Sequence, residues 1–372
     1  MLVTNEKITP AHTVINTVCK LKKSEKIIIV ANPETNVIAQ DLYTEALKAG
    51  GEPTLIFQPA KKAMDYSEPA VIAALKTEPQ VFLSISYMKL GKDPEAVKNP
   101  YELNGEKYDN TFDYLLNGKK VMRAVWTPGL TEDMFNRTVN IDYALLEKRC
   151  TLLGKKFEKA VSAHITAPGG TDLIVPLAGR KAFFDNGDFS KPGTGGNIPA
   201  GEVFLSPVVG NPDKDGTGCN GKIIYDGSMT FGDGDSILKT PIDVTVKNGF
   251  VTDVAGGDEA KRLLKTITEA EAKAVKLEKD GALPAGMGEV YKRNARNIGE
   301  LGIGLNPCAM ITGNMLEDEK AFKTCHFAIG QNYDGDAPSL IHLDGVVRNP
   351  TIVIKYEDGS EFTALEKGEL KI

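Results

Sequence analysis

Two of the four histidines in this 372-residue chain lie in one short segment, CHFAIGQNYDGDAPSLIHLDG, residues 325–345. His342 and Asp344 are two residues apart in an apolar run that predicts a strand, so both side chains point to the same face. A histidine and an aspartate facing a core are costly to bury without a partner. Their pairing favours a cation as that partner, and His326, at the start of a similar strand, is a further candidate ligand.

Two glutamates also lie in segments that predict buried strands. Glu202 enters the apolar run GEVFL after a Pro-Ala-Gly turn, and Glu300 alternates with two glycines in NIGELGIGLNP. Glycine at alternate strand positions leaves room for another group to approach the backbone closely. Each glutamate alone suits a surface strand, but several apolar strands that each carry such a residue favour a shared metal site.

The ligand types narrow the chemistry. Three carboxylates and two imidazoles without a thiolate suit Zn, Mn, Co or Fe. Three converging carboxylates repel one another, and two divalent ions would bring +4 against −3. Such a two-metal centre, with ions about 3.5–4 Å apart, activates a bridging water and polarises a carbonyl. The two histidines and the aspartate alone are the ligand type of non-haem Fe(II) oxygenases.

From about residue 160 onward the chain resembles the aminopeptidase T and aminopeptidase S family of metallopeptidases. The shared features are GNIPAGEVF, ELGIGLN, HFAIGQNY and H-x-D, in that order. The resemblance implies a site tyrosine, Tyr333, and these metal ligands: Glu202, Glu300, His326, His342 and Asp344. The sequence departs from the family at residues 327–341, because this segment between the two histidines is shorter than expected for the peptidases.

The resemblance predicts a metallo-aminopeptidase that hydrolyses N-terminal residues from peptides with a water activated by two divalent ions, Zn, Co or Mn. Tyr333 would stabilise the tetrahedral oxyanion, and Glu300 would act in catalysis as a carboxylate that bridges the ions. The resemblance also implies a homodimer and a small peptide or aminoacyl substrate.

Two alternatives stay open. A ring-cleaving dioxygenase of dihydroxypyridine-type substrates resembles the same family, so a non-haem Fe(II) enzyme on this scaffold is the first. In that alternative Glu202 and Glu300 have no metal to hold. The second alternative is a non-catalytic binding protein, although the chain retains all the ligand positions.

The elements that must position these residues follow from hydrophobic patterning. Residues 26–57 contain EKIIIVAN, ETNVIAQDLYTEALKAGG and PTLIFQ, the strand, helix and strand of a βαβ unit with a parallel sheet. Further along, short alternating runs punctuated by Gly and Asp are typical of antiparallel strands. The predicted fold class is α/β, with an open, mostly parallel N-terminal domain at 1–155 followed by an α+β metal-site domain at 156–372.

Composition argues against several classes of partner. A net charge of −6 provides no basic surface for nucleic acid. The chain has neither an apolar run of membrane-spanning length nor an N-terminal stretch typical of a signal peptide. Its five cysteines, an odd number without C-x-x-C spacing, suit reduced thiols. We therefore expect a cytoplasmic protein without nucleic-acid or membrane partners.

Overall fold

The structure is a computed structural model that describes residues 8–62 and 65–372. The chain divides into two compact units. The first comprises Met1–Glu147 and Asp185–Ala200, and the second comprises Lys148–Phe184 and Gly201–Ile372. Residues 185–200 thus belong to the first unit, whereas the predicted division near residue 155 places them in the second.

The helices of the described residues are mostly short. The α-helices are α1 Pro10–His12, α2 Asn36–Lys48, α3 Pro69–Leu75, α4 Pro94–Lys98, α5 Thr111–Asp113, α6 Glu132–Thr138, α7 Tyr143–Phe157, α8 Asp258–Lys279, α9 Met287–Asn294 and α10 Met315–Asp318. Other helical turns are the π-helical Thr13–Val18 and Tyr114–Gly118 and the 3₁₀ helix Pro33–Thr35. Within the described ranges, no helix has the length and apolar character needed to cross a membrane.

The strands fall into two groups along the chain. The earlier strands are β1 Lys26–Ala31, β2 Glu52–Phe57, β3 Val81–Ile85, β4 Tyr101–Leu103, β5 Glu106–Tyr108 and β6 Arg123–Trp126. The later strands are β7 Ala160–Thr166, β8 Asp172–Pro176, β9 Phe183–Asp185, β10 Gly195–Asn197, β11 Glu202–Leu205, β12 Asn220–Tyr225, β13 Ser228–Phe231, β14 Gly234–Ile237, β15 Ile242–Lys247, β16 Phe250–Gly256, β17 Ile298–Gly304, β18 Thr324–Gly330, β19 His342–Arg348, β20 Thr351–Tyr356, β21 Glu361–Glu366 and β22 Glu369–Leu370.

The first unit is built on a five-stranded parallel sheet in the order β10-β6-β3-β1-β2. The βαβ prediction for residues 26–57 is confirmed, because β1 and β2 pair in parallel with α2 between them in the chain. Strand β1 is an almost continuous apolar run, as expected for a parallel strand covered on both faces. A hydrophobic core cluster of the first unit contains these buried residues: Ile28, Val30, Val71, Leu75, Phe82, Leu115, Leu116, Met122 and Ala124.

The second unit contains two antiparallel sheets. Eight strands form one sheet in the order β16-β15-β12-β8-β7-β20-β21-β22, and seven form the other in the order β14-β13-β19-β18-β17-β11-β9. The predicted α/β class, with a parallel sheet followed by antiparallel strands, is confirmed. In the seven-stranded sheet, β19, β18, β17 and β11 are neighbours, although β11 is far from the other three in sequence.

Candidate metal centre

Four neighbouring strands present acidic and imidazole side chains on one face of the seven-stranded sheet. Their register identifies this face, because residues directly opposite one another point to the same side. The opposed pairs are Glu202 with Gly304, Gly302 with His326, Glu300 with Ala328, Ala328 with Asp344, and Gly330 with His342. All five predicted ligands therefore share one face, which strand alternation and the pairing register fix together.

The side chains converge around the two histidines. His326 Nε2 lies 3.0 Å from Glu300 Oε1 and 3.4 Å from Glu202 Oε2. His342 Nε2 lies 3.4 Å from Glu300 Oε2 and 3.3 Å from Asp344 Oδ1. Ligand atoms of Glu300, His326 and Asp344 all lie within 4.8 Å of one another. The structure thus brings the five residues into one cluster, and their role as ligands remains a proposal.

Several atoms of this cluster are unsatisfied. Among the described residues, buried atoms without a hydrogen-bond partner include Glu202 Oε2, Glu300 Oε2, His326 Nδ1 and Asp344 Oδ1. Leaving a buried polar group unpaired costs about 1–3 kcal/mol, and more when the group is charged. Three unsatisfied carboxylate oxygens beside two imidazoles fit a cation, and this oxygen and nitrogen donor set fits Fe(II), Mn or Zn.

A backbone carbonyl orients His342. Its Nδ1–H donates to the carbonyl oxygen of Gln331 at 2.8 Å. In the neutral ring this hydrogen bond selects the tautomer with its lone pair on Nε2, the nitrogen that lies nearest Glu300 and Asp344. Fixing one ring nitrogen so that the other can bind an ion is the usual arrangement of a metal-binding histidine.

The imidazole of His326 lies directly over Gly302. A Cβ atom at Gly302 would lie 1.9 Å from His326 Nε2, so any larger residue would displace the ring. The prediction that glycine beside Glu300 admits another group is confirmed, and the group is the imidazole itself. Gly304 serves a different neighbour, because a Cβ there would lie 2.1 Å from the carbonyl oxygen of Ala321.

A series of aromatic rings, each in contact with the next, extends from the cluster. The ring of Tyr333 contacts that of His342 edge-to-face at 5.3 Å between centroids, and Phe204 follows at 5.1 Å from Tyr333. Phe183 stacks on Phe204 at 5.3 Å. Tyr333 is 59% exposed, so it lies at the solvent edge of the site. Its predicted catalytic role remains a proposal.

The turn that carries Tyr333 is held by an arginine. Arg180 Nη2 donates to Asp336 Oδ2 at 2.8 Å and to the carbonyl oxygen of Pro207 at 3.1 Å. Asn332 also donates to Asp336 through its side-chain amide. These bonds order the short segment between the two histidines.

Sequence patterning missed a cation in the cluster. Lys320 is fully buried, and its Nζ donates to Glu202 Oε1 at 2.6 Å and to Glu319 Oε1. It ends the run Glu-Asp-Glu-Lys, whose composition is typical of a solvated surface turn. Glu317, Asp318 and Lys320 are buried, and backbone N–H groups satisfy the two acids: Glu317 accepts from Met310 N at 2.8 Å, and Asp318 accepts from Thr312 N at 2.7 Å and from Gly313 N at 2.9 Å. No local sequence signal distinguishes this arrangement from an exposed one.

The electrostatics are those of a tightly ion-paired cluster. Burial alone would lower the pKa of His326, but the hydrogen bond to Glu300 and the charges of nearby carboxylates outweigh it and raise the pKa to about 9. The pKa of His342 is likewise raised, because Asp344 and Glu300 outweigh burial. Burial would raise the pKa of Asp344, but the two histidines and Lys320 lower it to about 2. Both imidazoles therefore hold a proton more tightly than a free histidine does while no metal is bound.

We expect the chelator-treated protein to lose thermal stability as pH rises. A raised folded-state pKa contributes stability that is fully present below the unfolded value of 6.5 and is lost as pH passes through about 9, here for His326. Metal affinity should rise over the same range, because the ion competes with the imidazole protons. Unfolding temperatures measured from pH 6 to pH 9.5, with and without saturating Mn(II), test both trends. A metal-free protein that becomes more stable across this range would contradict the assignment.

A buried group of imidazoles and carboxylates on a mixed α/β scaffold defines a metal-binding class of protein. The family model described as NicX: 2,5-dihydroxypyridine 5,6-dioxygenase matches residues 111–362. This match covers more than half of the chain, and the chain belongs to that family.

Solved structures agree on the scaffold. The 2,5-dihydroxypyridine dioxygenase of Pseudomonas putida KT2440 is similar with a TM-score of 0.66 at 17% identity, covering 99% of this chain and 98% of that one. Wild-type AmpT from Thermus thermophilus is similar with a TM-score of 0.63 at 18% identity, covering 98% of each chain. No curated protein matches. At these identities the two structures show the fold alone.

Family membership corrects the predicted enzyme class. The prediction of an aminopeptidase, a hydrolase, is wrong, because the matching family is one of ring-cleaving dioxygenases, which are oxidoreductases. The motifs misled because the scaffold of this chain is similar to that of both AmpT and the Pseudomonas putida dioxygenase. A scaffold found in both classes of enzyme does not specify the reaction. The predicted homodimer remains a prediction.

Proposed function

We propose that this protein is a non-haem Fe(II) dioxygenase that opens a hydroxylated nitrogen-containing aromatic ring of the dihydroxypyridine type. The observation that carries the proposal is the clustering of buried His326 and Asp344 with the partly exposed His342, the two-histidine, one-carboxylate ligand set of Fe(II) oxygenases. Family membership supports the reaction, and the unsatisfied oxygen of Asp344 supports the cation.

The three side chains would hold the ion through Nε2 of each histidine and a carboxylate oxygen of Asp344. When bound, ferrous iron supplies the redox chemistry through which O₂ reacts with an electron-rich ring. The overall reaction balances without an external reductant, because one ring bond breaks and both atoms of O₂ enter the product. The residues around the ion would bind and orient the ring and accept or donate its protons.

Glu300 is positioned to accept a proton from a ring hydroxyl. Its carboxylate lies between both histidines, and Oε2 has no hydrogen-bond partner among the described residues. Burial would raise the pKa of Glu300, but the interactions with His326 and His342 outweigh it and lower the pKa, so the carboxylate is ionised. An ionised carboxylate within hydrogen-bond reach of the substrate meets the requirements of a general base.

The aromatic side chains suit a flat substrate. Phe204 and Tyr333 continue from the imidazole of His342 as a series of edge-to-face rings. Aromatic rings associate with one another at centroid distances of about 4.5–7 Å. A heteroaromatic ring beside the ion would therefore meet a matching surface at Tyr333.

Oxygen consumption tests this proposal. Chelated protein reloaded anaerobically with Fe(II) should consume O₂ when 2,5-dihydroxypyridine and air are supplied. The moles of O₂ consumed should equal the moles of ring lost, which are measured by the ring's ultraviolet absorbance. Protein loaded with Zn(II) is the matched control and should be inactive, since zinc has no redox chemistry. The proposal is overturned if the iron-loaded protein turns over neither this compound nor its dihydroxypyridine isomers, or if the zinc form is equally active.

A further inference from the structure

We infer that the ammonium group of Lys320 occupies the position of a second cation and limits the centre to one divalent ion. This inference rests on the proposed function only in that His326, His342 and Asp344 hold that ion. It assigns Lys320 as a positioning residue, which acts through Glu202 rather than on the substrate.

The acidic and imidazole groups form two overlapping clusters. Ligand atoms of Glu300, His326 and Asp344 lie within 4.8 Å of one another, and so do those of Glu202, Glu319 and His326. His326 belongs to both, but a single imidazole nitrogen has one lone pair and can bind one ion. The structure therefore presents one set that contains the proposed ligands His326 and Asp344 together with Glu300, and a second, mainly acidic, set beside it.

Lys320 fills the second set. Its Nζ lies 2.6 Å from Glu202 Oε1 and also donates to Glu319 Oε1, the two carboxylates that an ion there would need. The side chain is fully buried, so the ammonium does not exchange these partners for water. A lysine buried in this way is kept charged only by such carboxylate partners.

The backbone holds Lys320 in this position. Asn306 N donates to the carbonyl oxygen of Lys320 at 2.9 Å, and Phe322 N donates to the carbonyl oxygen of Asn306 at 3.2 Å. Gly304 lets the chain after Lys320 lie against β17, because a Cβ at this glycine would lie 2.1 Å from the carbonyl oxygen of Ala321. The lysine is thus a fixed part of the cluster rather than a mobile surface side chain.

Charge balance agrees with one ion. The expectation of two ions counted three carboxylates and no internal cation. The ammonium of Lys320 supplies a positive charge that this expectation did not include, so the carboxylates of the cluster need less charge from bound ions. A second divalent ion beside Lys320 would be a buried contact between like charges, which a low-dielectric site disfavours strongly.

Metal counting tests the inference. Chelated protein is titrated with Zn(II) or Mn(II), and bound metal per chain is measured after gel filtration. Wild type should bind one ion, and Lys320→Met should bind two, since Glu202 and Glu319 become free to hold the second. The double variant Lys320→Met/Glu202→Gln should return to one. The matched control Lys323→Met, which removes an exposed lysine paired with Glu369, should leave the count at one.

Three results would overturn the inference. The first is a wild type that binds two ions, and the second is a folded Lys320→Met variant that still binds one. The third is loss of the single ion in Glu202→Gln, which would make Glu202 a ligand of that ion. If Lys320→Met does not fold, the metal counts of Glu202→Gln and of the wild type test the inference.

The metal count is independent of the reaction. A wild type with one ion but no ring cleavage would contradict the proposed function and leave the role of Lys320 intact. An active iron enzyme with two ions would do the reverse.

Discussion

His342→Ala is expected to abolish ring cleavage and to weaken iron binding, while the chain stays folded. The imidazole contributes one of three proposed ligands, and its Nε2 lies 3.3 Å from Asp344 Oδ1. Changing only a residue that orients a ligand typically costs about 10–100-fold in affinity or activity, so loss of the ligand itself should exceed about 100-fold. Fe(II) affinity and O₂ consumption, measured on the same preparation, report the two losses separately.

His164→Ala is the matched control. His164 belongs to the same unit and pairs with Asp172 at 2.7 Å, on a different sheet from the cluster. It should keep wild-type metal affinity and activity. Full activity in His342→Ala, or equal losses in the two variants, would remove His342 from the ligand set.

Gly302→Ala is expected to disable the centre without changing any ligand. The added methyl group would lie 1.9 Å from Nε2 and 2.1 Å from Cε1 of His326, distances that force the ring to move. Forcing an extra methyl group into a packed interior typically costs about 1–3 kcal/mol of stability. Because the displaced atom is the proposed metal-binding nitrogen, we expect iron affinity to fall by more than about 10-fold, as for loss of an orienting partner.

The same substitution at Gly232 separates crowding of the ligand from a general effect of alanine. A Cβ there would lie 3.3 Å from its nearest non-adjacent neighbour, the side-chain methyl of Thr266. Gly232→Ala should leave metal affinity unchanged, and its change in unfolding temperature should be small. Wild-type iron affinity in Gly302→Ala would show that His326 Nε2 does not bind the ion.

The sequence alone determined which residue types form the cluster and the side of the strand on which each lies. Strand alternation places His342 and Asp344 on one face, and no other geometry is available to residues two apart in a strand. The apolar run at β1 and the helical spacing of α2 likewise predicted the parallel βαβ unit, because burial on both faces requires such continuous hydrophobicity. These features depend on local periodicity, which a sequence displays directly.

Tertiary structure decided which groups meet. Glu202 joins the cluster because β11 pairs with β17 across about a hundred residues of chain, and local patterns do not specify such pairings. The strand Gly195–Asn197 has two glycines and no β-forming residue, so only its place at the edge of the parallel sheet reveals it. Lys320 lies in a run of charged residues typical of a solvent-exposed segment. Its burial depends on the carboxylate of Glu202 and on the backbone hydrogen bond from Asn306 N to its carbonyl oxygen. Long-range packing thus supplied the internal cation, because the energy that keeps a charge buried comes from groups distant in sequence.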